Sequence, residues 1–143
     1  MAMYQGNSSY ILKEKMIIDG MTKDIISYLD TIWYIKNQQK VIYADHELDR
    51  INEISEAGYI IKKAYKEVGA GDSSVNERTL YFDAACEGTF QCMLNMLRQQ
   101  DKDGNYIEKH IKQDDHFDDA VRYAIHGYKR DNLSSEMQII NNW

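Results

Sequence analysis

Acidic residues crowd around a histidine near the end of the sequence: Asp114, Asp115, His116, Asp118 and Asp119. Five apolar residues then recur at helical spacing and predict one buried stripe: Phe117, Ala120, Val121, Ala124 and Tyr128. We therefore expect the acids and His116 to stand in the first turn of a helix. Residues three apart in a helix share a face, which places His116 beside Asp119. A histidine and a carboxylate on one face, with further acids nearby, can bind a divalent metal ion. Acids also stabilise a helix start by favouring the positive end of its dipole, so both interpretations stay open.

A second candidate acid, Asp45, directly follows the apolar run Val-Ile-Tyr-Ala at 41–44. This run is typical of a strand buried in a parallel sheet, and ligand sites in open α/β sheets lie at the carboxyl ends of such strands. An aspartate in front of a helix is also a common N-cap. Asp45 is therefore a candidate ligand and, equally, a candidate capping residue.

Strand and helix patterns alternate along the part of the chain that must position these acids. Extended or apolar runs predict strands at 10–18, 41–44, 59–61 and 80–82. Amphipathic spacing predicts helices at about 22–37, 48–57, 87–99 and 116–128. A flexible loop is expected at 69–72, followed by a short helix capped by Ser74. This alternation predicts βαβ crossovers and an α/β fold with a largely parallel sheet.

Length and charge narrow the classes of function. With 143 residues the chain is long enough for one domain with a sizeable core. Its net charge of −6 disfavours a protein that binds nucleic acid by electrostatic attraction alone. The same charge is compatible with a nuclease whose carboxylates surround metal ions, because the ions invert the local sign. No apolar run reaches ~18 residues and no signal peptide is visible, so we expect a soluble, intracellular protein without membrane contact.

Several common site motifs are absent from the sequence. It contains no GxxxxGK[ST] phosphate loop, no HExxH and no GxSxG. The run at 101–105 begins like a calcium loop, but its glycine stands at the fourth position rather than the sixth. His46, His110 and His126 show no ligand spacing to one another, and we interpret them as surface or structurally satisfied histidines.

Four short pieces follow one another in the last third of the chain. They are Asp-Lys-Asp-Gly-Asn at 101–105, Glu-Lys at 108–109, Asp-Asp-His at 114–116 and Asp-Ala-Val-Arg-Tyr-Ala at 119–124. In this order they resemble the end of the nuclease domain of phage terminase large subunits. Earlier pieces at 10–14, 20–22, 42–45, 51–58 and 64–66 are similar in order and spacing, so the resemblance covers about residues 8–128. Its most specific part is the Asp-His-x-x-Asp-Ala-x-Arg-Tyr run.

This resemblance implies an RNase H-like fold, with a mixed or parallel sheet flanked by helices. Acids of that family hold two divalent ions, Mg²⁺ or Mn²⁺, that cut double-stranded DNA during genome packaging. Carried over by position, Asp45 and Asp119 would be catalytic metal ligands, with His116 as a ligand, base or orienting residue. Lys66 loosely matches a residue that approaches the DNA backbone. The implied partners are double-stranded DNA, the terminase ATPase domain, the small terminase subunit and the portal, in the cytoplasm of a host that carries the phage or prophage gene.

The sequence departs from the family pattern in two places. The first strand of that fold, which carries an essential aspartate, has no counterpart here, and the ATPase motor is absent. We therefore expect a polar leader at 1–8, an incomplete RNase H-like domain at 9–130 and a C-terminal tail at 131–143. The alternative function is a non-catalytic, truncated nuclease-fold module that acts in protein–protein interaction, for instance as a homo-oligomer, because unpaired sheet edges favour association.

Overall fold

The computed structural model describes residues 1–97, 102–103 and 116–141, with side chains described for all of these except 96–97 and 133–141. Its regular elements are β1 (Ala2–Gln5), β2 (Ser8–Ile11), α1 (Thr22–Asp30), α2 (Trp33–Asn37), β3 (Val41–Ala44), α3 (Leu48–Glu56), β4 (Ile60–Lys63), α4 (Val68–Asn76), β5 (Thr79–Phe82), α5 (Glu87–Leu97) and α6 (His116–Asn141). Helices and strands alternate from α2 to α5, which confirms the predicted α/β class. The acids Asp114 and Asp115 lie outside the described residues.

The strands that the structure describes form two sheets. A three-stranded sheet has the order β1-β2-β5, with β1 antiparallel to β2 and β2 parallel to β5. A two-stranded sheet pairs β3 with β4 in parallel, in the register Val41↔Ile60 to Ala44↔Lys63. The parallel pairing of the strands around α3 agrees with the predicted βαβ crossover.

The N-terminal residues differ from the expected polar leader, because Ala2–Gln5 form the outer strand of a hairpin. The turn uses Gly6 at φ +55°, a conformation that glycine adopts without steric cost. Arg78 holds this hairpin from the far end of α4. Its guanidinium donates hydrogen bonds to the carbonyl oxygens of Gly6 and Ser8, both at 2.8 Å. Such long-range contacts leave no local sequence pattern.

The strand expected at 10–18 ends at Ile11, because the chain then turns away to cap a helix. The Glu14 carboxylate accepts hydrogen bonds from the backbone N–H groups of Gly88 (2.9 Å) and Thr89 (2.6 Å) in the first turn of α5. These are N–H groups that a helix cannot satisfy by itself. Glu14 thus anchors the segment before α1 to α5.

The helix expected at 22–37 is divided into α1 and α2. Ile32, between them, has φ −105° and ψ +83°, outside the helical region. The expected loop at 69–72 lies inside α4, and Ser74 is within that helix instead of capping it. Gly71, which suggested a loop, instead allows α4 and α6 to pack closely, since a Cβ at this position would lie 2.7 Å from the Arg122 side chain of α6.

The buried apolar residues in the described part of the chain form two cores. The first core lies on the three-stranded sheet and contains Ile11, Val75, Cys86, Val121 and Ile125. The second core is formed by α1 to α3 and the two-stranded sheet, and contains Ile32, Ile35, Ile54 and Tyr59. Helix α6 supplies residues to the first core and also packs against β3, so it joins the two sheets.

The buried face of α6 is rotated from the predicted one. The predicted stripe consisted of Phe117, Ala120, Val121, Ala124 and Tyr128, of which only Val121 is buried and Ala120 is exposed. The observed buried stripe includes three polar residues, Asp118, Arg122 and His126, together with Ile125. Apolar periodicity could not find this face, because polar side chains are buried here by pairing with residues of other elements.

Candidate functional site

The carboxyl edge of the parallel pair β3–β4 carries the first group of candidate residues. Asp45 directly follows β3 and Lys66 follows β4, and in a parallel pair both positions lie at the same edge. Lys66 Nζ donates a hydrogen bond to Asp45 Oδ1. The same oxygen accepts the backbone N–H of His46 at 2.7 Å, and His46 Nδ1 lies 2.6 Å from Lys66 Nζ. Asp45, His46 and Lys66 therefore form one exposed polar cluster.

The charges in this cluster stabilise one another. The hydrogen bond from Lys66 is the largest cause that lowers the pKa of Asp45 to about 2, and the contacts from His46 add to it. The same bond to Asp45 raises the pKa of Lys66, which the more distant Asp119 and Tyr123 raise further. Lys66 thus stands between the edge of the two-stranded sheet and the first turns of α6.

Asp119 lies in the first turn of α6 and is held by a cation on its own helix. Arg122 Nη2 donates to Asp119 Oδ1 at 2.5 Å, and Arg122 Nη1 lies 3.8 Å from carboxylate oxygens of Asp118 and Asp72. Arg122 is 7% exposed, and its Nε has no hydrogen-bond partner among the described residues. Arg122 thus neutralises acids of α4 and α6 in a place where burial would otherwise make them costly.

His116 is the first residue of α6 and is exposed. It precedes Asp119 by three residues, so both stand on one side of the helix, as the spacing predicted. Among the described residues, no three histidine, cysteine or acidic side chains are close enough together to hold a metal ion. Of the four predicted site residues, Asp45 and Lys66 are in direct contact, Asp119 acts on Lys66 through its charge, and His116 shares the first turn of α6 with Asp119.

The possible ligand atoms of this region agree in part with the metal ions that the resemblance implies. Carboxylate oxygens are the ligands that Mg²⁺ and Mn²⁺ prefer, and the place beside Asp45 already holds a cation, the ammonium of Lys66. Two ions about 4 Å apart would need more carboxylates than Asp45 and Asp119, because Asp118, Asp119 and Asp72 all face the guanidinium of Arg122. The described residues therefore offer oxygen donors of the expected kind without forming a complete metal site.

A serine–histidine–glutamate arrangement on the neighbouring part of α6 has a structural role. His126 Nδ1 lies 2.8 Å from Ser74 Oγ, and Nε2 lies 3.3 Å from Glu67 Oε2. Ser74 is only 2% exposed, and its hydroxyl proton is donated to the Ala70 carbonyl oxygen at 2.9 Å. A buried hydroxyl engaged in this way is no nucleophile. These residues link α4 to α6, in agreement with the interpretation of His126 as structurally satisfied.

Sequence reasoning missed three members of this region: His46, Asp72 and Arg122. Arg122 had a usable signal, because it stands three and four residues after the acids Asp119 and Asp118, the spacing of helical ion pairs. His46 adjoins Asp45, but nothing in its type or spacing marks it as a neighbour of Lys66. Asp72 was assigned to a loop, so its contact with α6 could not be anticipated.

Comparison of the chain with protein-family models, with curated proteins and with solved structures gave no match. The class that the structure defines is therefore α/β, with a polar cluster at the carboxyl edge of a parallel strand pair. No helix in the described part of the chain is long and apolar enough to cross a membrane.

Proposed function

We propose that this chain is a metal-dependent, nuclease-type module similar to the nuclease domain of phage terminase large subunits, with double-stranded DNA as its substrate. One observation carries the proposal: two acids from distant parts of the chain both act on the ammonium of Lys66, Asp45 by direct contact and Asp119 through its charge. Asp45 at the end of β3 binds the ammonium of Lys66, and Asp119 in the first turn of α6 raises the pKa of that ammonium. Convergent carboxylates at the carboxyl edge of parallel strands suit a divalent ion.

The proposed chemistry divides between the ion and the side chains. A bound Mg²⁺ or Mn²⁺ supplies activated water at neutral pH and compensates charge on the phosphate. Asp45 and Asp119 would hold the ion once Lys66 and Arg122 had released their carboxylates, and the long, 41% exposed side chain of Lys66 can move aside. The freed ammonium of Lys66 can then bind a phosphate oxygen. His116, exposed beside Asp119, can accept a proton or orient the phosphate.

The proposal includes a limit on activity. Asp45 and Asp119 are the two acids that this proposal assigns to metal binding, and two acids are too few for a two-metal reaction. We expect binding of Mn²⁺ or Mg²⁺ with weak or no DNA cleavage by this chain alone.

The test compares metal binding with DNA nicking in matched variants. Mn²⁺ binding is measured by isothermal titration, and nicking is measured on supercoiled plasmid with Mn²⁺. The wild type is expected to bind, and Asp45→Asn and Asp119→Asn are expected to lose binding. Asp49→Asn is the matched control, since Asp49 is an exposed acid in the first turn of α3. No Mn²⁺ binding by the folded wild type, or equal binding by all variants, would contradict the proposal.

The second candidate function is a non-catalytic module that binds another protein. The observation that favours it is the division of the described strands into two sheets, each with an edge strand beside α6. Open strand edges present unpaired backbone N–H and C=O groups that a partner can use. This candidate predicts protein binding with no change on addition of Mn²⁺.

A further inference from the structure

A buried histidine of α6 lies between two hydrogen-bonding side chains at different points along α4. Nδ1 of His126 is 2.8 Å from the hydroxyl oxygen of Ser74, and Nε2 is 3.3 Å from a carboxylate oxygen of Glu67. Ser74 is buried within α4, and Glu67 directly precedes that helix. Histidine is the side chain that commonly changes its charge near neutral pH. The protons on its two nitrogens therefore decide how α4 is bonded to α6.

The contact with Glu67 requires a proton on Nε2. An ionised carboxylate accepts hydrogen bonds and donates none, so Nε2 of His126 must be the donor. The pKa of the Glu67 carboxyl is lowered, first by a hydrogen bond from its own backbone N–H and then by His126 and Arg130. Arg130 also donates to the second oxygen of this carboxylate at 2.7 Å. Glu67 is therefore ionised near neutral pH, and Nε2 keeps its proton there.

The hydroxyl group of Ser74 carries one proton and has two possible acceptors for it. In the structure it donates to the carbonyl oxygen of Ala70, 2.9 Å away in the preceding turn of α4. With its proton used there, the Ser74 oxygen can only accept from His126, so Nδ1 must be protonated and the ring charged. Once Nδ1 loses this proton, its lone pair faces the Ser74 oxygen. The hydroxyl must then rotate and donate to Nδ1, which ends its bond to Ala70.

Charged and titratable groups face His126 from each element around it. Glu67 and Arg130 form an ion pair beside Nε2, and the Tyr65 ring meets the imidazole edge-on, with 6.1 Å between the ring centroids. From β3, the Tyr43 ring contacts α6 one residue further along the helix. The ion pairs on the neighbouring turns of α4 and α6 are Arg122–Asp72 and Lys129–Glu77. Ser74 and Glu67 are the two that bond directly to the ring.

We propose that His126 and Ser74 form a proton-operated switch in α4. The charged ring leaves the Ser74 hydroxyl bonded to Ala70, whereas the neutral ring takes that hydroxyl as its own donor. A serine bonded to the carbonyl four residues earlier tends to bend a helix, so the curvature of α4 follows the proton. Glu67 accepts from Nε2 in both states, which keeps the two helices joined. Lys66 lies two residues before α4, so the polar cluster of the candidate site adjoins the switched helix.

The test uses NMR of the isotope-labelled full chain from about pH 5 to about pH 8, the range in which histidines change charge. We expect the ¹⁵N signals of His126 to show that Nδ1 loses its proton while Nε2 keeps it. The ¹³C signal of the Ala70 carbonyl should shift with the same midpoint. In Ser74→Ala, His126 should still titrate, but the Ala70 signal should no longer follow it. His46→Gln, at an exposed histidine, is the control and should leave both signals unchanged.

A second variant, Glu67→Gln, tests the role of the carboxylate. A side-chain amide can donate as well as accept, so the neutral ring should then show both tautomers. Glu77→Gln is the matched control, because Glu77 also joins α4 to α6, but through Lys129 at 2.7 Å, and it should keep the wild-type tautomer.

Three results for the wild type would overturn the inference. The first is a neutral His126 ring that carries its proton on Nδ1. The second is an Ala70 carbonyl signal that does not follow the protonation of His126. The third is a His126 ring that does not change its charge over this pH range. None of these measurements involves a metal ion or DNA, so their outcome is independent of the Mn²⁺ titration and the nicking assay.

Discussion

The ring of Tyr43 in β3 lies directly against the backbone of Gly127 in α6, so that a Cβ atom at position 127 would fall 2.4 Å from the ring. At Gly127, α6 is in direct contact with the two-stranded sheet. It explains a glycine in the interior of a long helix, where that residue is otherwise unfavourable by about 1 kcal/mol relative to alanine. The close packing of α6 on β3 therefore requires a residue without a Cβ atom at position 127.

Replacing Gly127 by alanine should destabilise the protein despite the better helix propensity of alanine. The added Cβ must displace the Tyr43 ring or the helix, and overpacking of this kind costs about 1–3 kcal/mol. The midpoint of urea unfolding measures the effect. Gly69→Ala in α4 is the matched control, since a Cβ there meets no atom within 4 Å and is expected to be neutral or mildly stabilising. Equal midpoints for the two variants would show that α6 does not pack this closely on β3.

Asp131 should contribute stability that disappears in acid. Its carboxylate accepts hydrogen bonds from the hydroxyl groups of Tyr43 and Tyr65 (2.9 Å for Tyr65) and from Lys62 Nζ at 3.1 Å. Burial by itself would raise the pKa of Asp131, but these donors outweigh it and lower the pKa. A depressed folded pKa means that the contribution is complete above the unfolded value of about 3.9 and is lost as the pH falls through the folded pKa.

The corresponding variant is Asp131→Asn, expected to cost about 1–3 kcal/mol at pH 7 because it removes a charged acceptor. Urea unfolding at pH 7 and at successive lower pH values should show that the gap between wild type and variant narrows towards pH 3. A gap that stays constant over this range would assign the effect to packing rather than to the carboxylate charge.

Lys66 should compete with divalent ions for Asp45. Removing the ammonium by Lys66→Ala frees the carboxylate, so we expect the Mn²⁺ affinity to rise several-fold, while Asp45→Asn lowers it. Isothermal titration gives both affinities. Lys63→Ala, at the exposed end of β4, removes an equal charge outside the cluster and should leave the affinity close to that of the wild type. If Lys66→Ala weakens Mn²⁺ binding, Lys66 is not the competing cation.

Arg122 should be among the most sensitive positions in the protein. Its guanidinium is buried and faces three carboxylates, those of Asp118, Asp119 and Asp72, so Arg122→Met removes the cation that they share and is expected to cost about 3–5 kcal/mol. Arg50→Met is the control, because Arg50 is about 42% exposed and pairs with Glu47 on the helix surface. That pair is worth at most about 1 kcal/mol. Thermal melting of both variants measures this difference in stability. A smaller loss of stability for Arg122→Met than for Arg50→Met would contradict the prediction.

Sequence patterns correctly predicted those elements that are determined by residues close together in the sequence. The apolar run of β3, the helix α3 with Gly58 at φ +96° beyond its end, and the start of α5 all agree with the sequence. The same patterns failed where a distant residue decides the structure. Gly71 looked like part of a loop because its contact with Arg122 is invisible in sequence. β1 looked like a polar leader because its pairing with β2 depends on a turn that Arg78 holds from outside the hairpin.

The candidate site was likewise predicted from the sequence only in part. Asp45 and Asp119 were identified from their positions at a strand end and a helix start, and both lie in one region with Lys66. The cations that neutralise them were not foreseen, since sequence separates Lys66 from Asp45 by a whole βαβ crossover. The two-metal site implied by the resemblance remains a prediction.

The position of α6 along the chain also constrains when the protein can fold. Val121 and Ile125 complete the first core, and Gly127 and Asp131 close against β3, yet all four residues are synthesised after every other element. While the ribosome is still producing residues before 116, both sheets lack their common cover and expose apolar surface. Packing of both sheets is therefore expected to wait for the synthesis of α6, and nascent chains that stop before residue 116 should be clients for chaperones that shield such surface.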